Sequence, residues 1–188
     1  MNYLEVIGTA LGLIYLWLEY RASAWLWAAS IAMPAIYLAV YYQAGLYADL
    51  GISIYYILAS VYGLFCWLRH HKTDSSAKRQ IAPTPRRLYT PLSLVFIVLF
   101  CAIGFILSRY TDSTVPWADS FTTALSIIAM WMLARKYVEQ WLVWIAADVA
   151  CAALYCYKDL WFTAGLYAIY AIIAVFGYRQ WKRMMIKE

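Results

Sequence analysis

The sequence predicts an all-α membrane protein of seven transmembrane helices. Three observations carry that prediction: charge is scarce, apolar stretches of bilayer length follow one another, and basic residues are sorted between alternate loops. Of 188 residues, 65% are hydrophobic and only 13% charged, and the mean hydropathy is +0.63. A soluble domain carries about a quarter of its residues as charges because water must wet its surface. Half that share means that most of this surface faces something other than water. Aromatic residues reach 19%, with 10 Trp and 18 Tyr. They suit the belts at membrane interfaces, and equally a site that stacks on a flat ligand.

A helix needs about 20 mostly apolar residues to cross the hydrocarbon core. The first expected span covers 3–18 and stops at Glu19-Tyr20-Arg21; the second, 22–42, contains Pro34, a potential kink. The third covers 46–68 and is followed by a polar, basic, Pro-containing linker. The fourth covers 89–108, and RYTDSTVP separates it from the fifth, 117–133. The sixth, 139–157, follows the tight turn around Arg135 and Lys136, and the seventh covers 160–178. The amino terminus, MNYLEVIGTALG, lacks a basic leader and carries Glu5, so no cleaved signal peptide is expected.

With seven spans, one set of alternate loops holds Arg21, the six cations of the linker, Arg135, Lys136 and the four of the tail. The opposite set holds only Arg109 and Lys158 of the 15 basic residues. This asymmetry predicts a cytoplasmic carboxyl terminus and an outside amino terminus. The linker's charge is what a cytoplasmic loop carries by default, so no nucleic-acid partner is expected, and His70 and His71 there are given no role.

An internal echo links the third and seventh spans. Ala44-Gly45-Leu46-Tyr47-Ala48-Asp49 resembles Ala164-Gly165-Leu166-Tyr167-Ala168-Ile169, and Gly63 with Trp67 parallels Gly177 with Trp181. Trp25 and Trp27 open the second span, as Trp141 and Trp144 open the sixth. The expected organisation is a single transmembrane domain over 1–188. A first three-helix repeat (1–68), a cytoplasmic loop (69–88), a connector helix (89–108) and a second repeat (117–182) follow in order. One inverting connector makes the repeats parallel, a 3+1+3 arrangement of the kind found in SWEET transporters.

A carboxylate in the bilayer is costly unless paired or hydrated, which makes it a functional candidate. Asp148 falls in the middle of the sixth span, and Trp141, Trp144 and Asp148 share one helix face at i, i+3, i+7, with Tyr155 continuing the stripe. Two indoles and a carboxylate can stack on an aromatic ring, hydrogen-bond its substituent and attract a cationic ring. Trp141 as an interface anchor and Asp148 as a helix–helix tie stand as structural alternatives. On the third span, Asp49, Ser53, Tyr56, Ser60 and Gly63 form a narrow polar face. Tyr167, Tyr170 and Tyr178 mark the seventh, and Thr122, Thr123 and Ser126 the fifth, where packing explains them equally.

Cys66, Cys101, Cys151 and Cys156 lie in apolar stretches without zinc-site spacing or a nearby histidine, so no metal or cofactor is expected. There is no HExxH, no GxSxG and no phosphate-cradling loop, and neither Ser60 nor Ser126 has a partner histidine. An enzyme is therefore not expected. A membrane scaffold subunit would not need Asp148, Ser53 and Tyr56 to line a common cavity, which leaves a transporter as the preferred class.

The run Gln140-Trp141-Leu142-Val143-Trp144-Ile145-Ala146-Ala147-Asp148 resembles the WxxWxxx(N/D) motif of the PnuC vitamin transporters. The Ala44–Asp49 segment, Tyr56, Gly63 with Trp67, and the ending Gly177-Tyr178-Arg179-Gln180-Trp181 are also similar to that family. The resemblance implies a homotrimer in the bacterial inner membrane. It would import a vitamin precursor, most often nicotinamide riboside, by facilitated diffusion, and a cytoplasmic kinase would trap the product. It implies that Trp141 and Trp144 wall the site and that Asp148 hydrogen-bonds the ligand, with Gln140 and Tyr56 contributing; Asp49, Ser53 and Tyr170 complete the expected set. Asp148 stands where the family also accepts Asn, and a carboxylate suits the cationic ring of thiamine as well, the second expected substrate.

Overall fold

The computed structural model describes residues 3–43, 47–69, 81–111 and 113–187. Among them seven helices follow in order: α1 (Tyr3–Tyr20), α2 (Trp25–Gln43), α3 (Tyr47–Arg69), α4 (Tyr89–Tyr110), α5 (Pro116–Ala134), α6 (Gln140–Tyr157) and α7 (Trp161–Lys187). A short 3-10 turn, Arg86–Leu88, leads into α4. No strand is formed among the described residues, so the chain is all-helical. Among the described residues four stretches, Arg86–Tyr110, Pro116–Ala134, Gln140–Tyr157 and Trp161–Ile186, are long and apolar enough to cross a membrane. The described apolar runs in the first unit are shorter, Leu11–Tyr20 and Ser53–Leu68. α4 shows the solvent it is made for. Its one buried residue is Gly104, while Leu94, Val98, Phe105 and Ile106 are each more than half exposed. Such a surface is tolerated in hydrocarbon and would aggregate in water.

The chain divides into two compact units, residues 1–80 and 81–188. In the first, α2 packs on α1 and α3; in the second, α4 packs on α5, α5 on α6 and α6 on α7. The core of the second unit runs along α5, where Ala124, Ile128, Ala129, Met132 and Leu133 are buried.

One set of contacts occurs in both units, at positions 114 residues apart. In the first unit the Trp27 indole closes over Gly63 and meets the edge of Trp67, centroids 5.7 Å apart at 85°. In the second, Trp141 closes over Gly177 and meets Trp181 at 5.8 Å and 86°. Both knobs and both Trp partners are buried. A side chain at either glycine would occupy the space of the ring, so close helix approach requires Gly there. The turns match as well. Ala22 and Lys136 take left-handed φ of 49° and 56°. Ala22 N–H donates to Glu19 O at 2.9 Å and Ser23 N–H to Leu18 O at 2.9 Å, as Lys136 N–H does to Leu133 O at 2.9 Å and Tyr137 N–H to Met132 O at 3.0 Å. These are Schellman caps that satisfy the last carbonyls of α1 and α5. Arg21 lies over Trp17 at 4.7 Å, and Arg135 over Trp131 at 5.5 Å.

This register differs from the sequence echo, which pairs residues 44–49 with 164–169 at a spacing of 120. Ala44, Gly45 and Leu46 lie outside the described residues, as do His70, His71 and the linker to residue 80. In the contact register Trp141 answers to Trp27, and Tyr170 to Tyr56. The linker's last part is also more structured than expected. Ala82 N–H donates to Lys136 O at 3.1 Å, Val138 N–H to Ala82 O at 3.0 Å, and Ile81 and Thr84 are buried. The linker end and the α5–α6 turn thus lie at the same end of the second unit. At its other end Lys158 pairs with Asp119 at 3.1 Å.

Candidate functional site

The second unit assembles its polar seat on α6. The helix begins at Gln140, directly after the Schellman turn, and rises one turn every 3.6 residues. Trp144 and Asp148, four residues apart, therefore stand one above the other on one face. Asp148 is 8% exposed, and among the described residues its carboxylate accepts no hydrogen bond and meets no cation. It lies within electrostatic reach of Tyr170 on α7 and of Cys151, one turn further along α6. The Trp144 Nε1–H is buried and finds no acceptor. An acceptor without a donor and a donor without an acceptor, one helical turn apart inside a membrane-crossing helix, are what a polar ligand would complete.

Aromatic rings extend the seat towards the Lys158 end of α6. Tyr155 stacks on Tyr167 at 5.2 Å and 20°, and Tyr167 meets Tyr170 edge-on at 5.8 Å. The hydroxyls of α5 bond mainly to their own helix: Thr122 and Thr123 donate to Asp119 O and Ser126 to Thr122 O, and Thr122 also meets the Cys151 thiol of α6. Such bonds satisfy the side chains without contributing to recognition.

The structure distributes the expected residues unevenly. Gln140, Trp141, Trp144, Asp148 and Tyr170 all belong to the second unit. Gln140 and Trp141 are fully buried, and Trp141 fills the notch over Gly177. Its Nε1–H is buried without a partner, but so is that of Trp27, its counterpart in the first unit. That feature therefore belongs to the packing motif. Trp144 is different, because its counterpart is Ser30, which donates to Trp27 O at 3.0 Å; the counterpart of Asp148 is Pro34. Ser53, Tyr56 and Ser60 lie in the first unit, Ser53 and Ser60 buried, with Ser60 donating to Tyr56 O at 2.6 Å. Asp49 lies in α3, its side chain outside what is described.

Two features escaped sequence reasoning. Glu19, read as the polar end of a span, is 1% exposed and hydrogen-bonded by Tyr15, which also lies close to Tyr56. The i, i+4 spacing of Tyr15 and Glu19 was the available signal. The second feature is a carboxylate at the base of α6. Glu139 Oε2 accepts from Thr84 N–H at 2.6 Å and from Thr84 Oγ1–H at 2.7 Å.

Apolar helices around a buried polar seat suit a helical membrane transporter, the class to which the family match assigns the chain. The sequence matches the nicotinamide mononucleotide transporter family over residues 2–183, and the chain belongs to that family, the PnuC transporters. It is 24% identical over 204 residues to the nicotinamide riboside transporter PnuC of Escherichia coli, covering 96% of this chain and 85% of the relative. It is 26% identical over 183 residues to the riboflavin/roseoflavin transporter RibM of Streptomyces davaonensis, covering 94% and 83%. The crystal structure of the vitamin B3 transporter PnuC superposes with a TM-score of 0.72 at 18% identity, over 95% of this chain and 80% of that one. That likeness shows the fold. The relatives are transporters of vitamins, not enzymes.

Proposed function

We propose that the chain carries nicotinamide riboside across the bacterial inner membrane by facilitated diffusion, with cytoplasmic phosphorylation trapping the product. The observation that carries this reading is the pairing of an unpartnered Asp148 carboxylate with an unpartnered Trp144 indole N–H on one face of α6. A pyridinium ring beside Asp148 brings its cation to the carboxylate, and its carboxamide offers the donor and acceptor that Asp148 and the Trp144 indole N–H lack. Gln140 and Tyr170 flank the same seat, while Trp141 shapes it by packing. Riboflavin, which a relative carries, has a neutral ring and gains nothing from a carboxylate. Thiamine is the second reading, because its thiazolium is cationic too.

The 114-residue register supports seven spans arranged as three, one and three, with parallel repeats as in SWEET transporters. α1–α3 correspond to α5–α7 without a gap, and α4 is the connector. The basic loops support an outside amino terminus and a cytoplasmic carboxyl terminus. The PnuC resemblance supports a homotrimer.

Titration of the purified protein with nicotinamide riboside and with thiamine, read by quenching of its tryptophan fluorescence, tests the assignment. Saturable quenching by nicotinamide riboside alone, lost in Trp144→Ala, is expected. Quenching by thiamine alone moves the assignment to the second reading, and quenching by neither refutes both.

A further inference from the structure

The first turn of α6 is held by a segment that the packing motif does not require. The α1–α2 and α5–α6 turns form the same Schellman hydrogen bonds. Among the described residues, only the second carries a strap. Residues 81–85 run alongside it, with Ala82 paired to Tyr137 in a parallel bridge and bonded to Lys136 O and Val138 N. Thr84, 5% exposed, gives both its N–H and its hydroxyl to one oxygen of Glu139. In the first unit the positions answering to Lys136, Val138 and Glu139 are Ala22, Ala24 and Trp25. Trp25 is 74% exposed, and no described segment pairs with the carbonyl of Ala22 or the amide of Ala24. Among the described residues the first turn has no such strap, and the four hydrogen bonds to the second turn are an addition to the caps that both turns share.

What distinguishes the two following helices is their cargo: α6 carries Trp144 and Asp148, and α2 carries Ser30 and Pro34 in their places. Glu139 is the residue before α6, five positions from Trp144 and nine from Asp148. Two charge-assisted bonds to a single carboxylate oxygen fix the helix start along its axis and in rotation. A rotation there is transmitted to both groups, because a helix twists as a rigid rod over so short a length.

We propose that the 81–85 strap, through Thr84 and Glu139, positions the ligand-bearing face of α6, with Thr84 and Glu139 as positioning residues that do not touch the ligand. The inference rests on the transport reading only for its ligand; the geometric part stands on the strap's hydrogen bonds and on the comparison of the two turns.

The test uses the full chain in detergent, as wild type, Thr84→Val, Thr84→Ser and Glu139→Gln. Amide hydrogen exchange is followed along the chain, and the dissociation constant for nicotinamide riboside is read by tryptophan quenching. In Thr84→Val and Glu139→Gln, exchange is expected to rise several-fold across residues 140–148 with α4 and α7 unaltered. The dissociation constant rises about two- to thirtyfold, the range of coupling through a positioning contact. Thr84→Ser, which keeps the hydroxyl, restores both. Unchanged exchange at 140–148 in both variants overturns the proposal, and so does a uniform rise over all helices, which marks general destabilisation. If the wild type does not bind nicotinamide riboside, the transport reading for that ligand fails, and the exchange pattern still decides the strap.

Discussion

Replacing Gly177 by alanine tests whether Trp141 is a packing knob. An ideal Cβ at Gly177 would lie 2.6 Å from Trp141 Cη2 and 2.7 Å from Cζ2 and Cζ3, where ordinary contact begins at 3.4 Å. The overlap is about 0.8 Å against a rigid ring. The ring has little room to retreat, because Trp141 is 0% exposed and meets Trp181 edge-on. Overpacking of this kind costs about 1–3 kcal/mol. For a chain of this size each kcal/mol lowers the melting temperature by roughly 2–4 °C, so Gly177→Ala should melt about 2–12 °C below the parent. Intrinsic fluorescence during a thermal ramp in detergent measures it. Trp141→Phe in the same background, with a smaller ring, should recover part of the loss, a coupling expected only of residues in contact. Gly63→Ala, beneath Trp27, should behave alike. Unchanged melting of Gly177→Ala, or no relief by Trp141→Phe, would refute the packing role.

Other perturbations have smaller expected effects. The Lys158–Asp119 pair has side chains 28% and 27% exposed, so Lys158→Ala should cost at most about 1 kcal/mol, and less in high salt, by the same thermal ramp. Ala22 and Lys136 hold left-handed backbone that glycine adopts freely, so Ala22→Gly and Lys136→Gly should each raise stability by up to about 1 kcal/mol. A fall in melting temperature would show that their side chains do more than tolerate the turn.

The helical class was legible because lipid and water demand different surfaces, and composition reports that demand directly. The candidate face of α6 was legible because helical periodicity fixes which residues share a side. The division of labour along that face was not, since periodicity treats Trp141 and Trp144 alike. Only the three-dimensional notch at Gly177, repeated by Trp27 over Gly63, marks Trp141 as a packing residue. The sequence shows the repeat at two spacings: 120 for the likeness of residues 44–49 to 164–169, and 114 for Gly63 with Trp67 against Gly177 with Trp181, the spacing at which the contacts recur. The Thr84–Glu139 bond joins residues 55 apart in sequence, and no local pattern announces it.

Among the described residues two carboxylates are buried, one in each unit, and they distinguish the frame from the seat. Glu19 in α1 is hydrogen-bonded by Tyr15, whereas Asp148 in α6 has no hydrogen-bond partner among the described residues. A satisfied buried acceptor contributes to stability, and an unsatisfied one detracts from it. Removing them should therefore move stability in opposite directions. Glu19→Leu strips Tyr15 of its acceptor and should destabilise by about 1–3 kcal/mol. Asp148→Leu deletes a lone polar group from an apolar setting and fills its place with methyl groups. It should raise the melting temperature of the ligand-free protein while abolishing binding of a cationic ring, the trade expected where a site is kept at the expense of the fold. Thermal ramps with and without nicotinamide riboside measure both terms, since the ligand should stabilise the parent and leave Asp148→Leu unmoved. If Asp148→Leu is less stable than the parent without ligand, the carboxylate is a helix–helix tie, and the seat on α6 loses its chief argument.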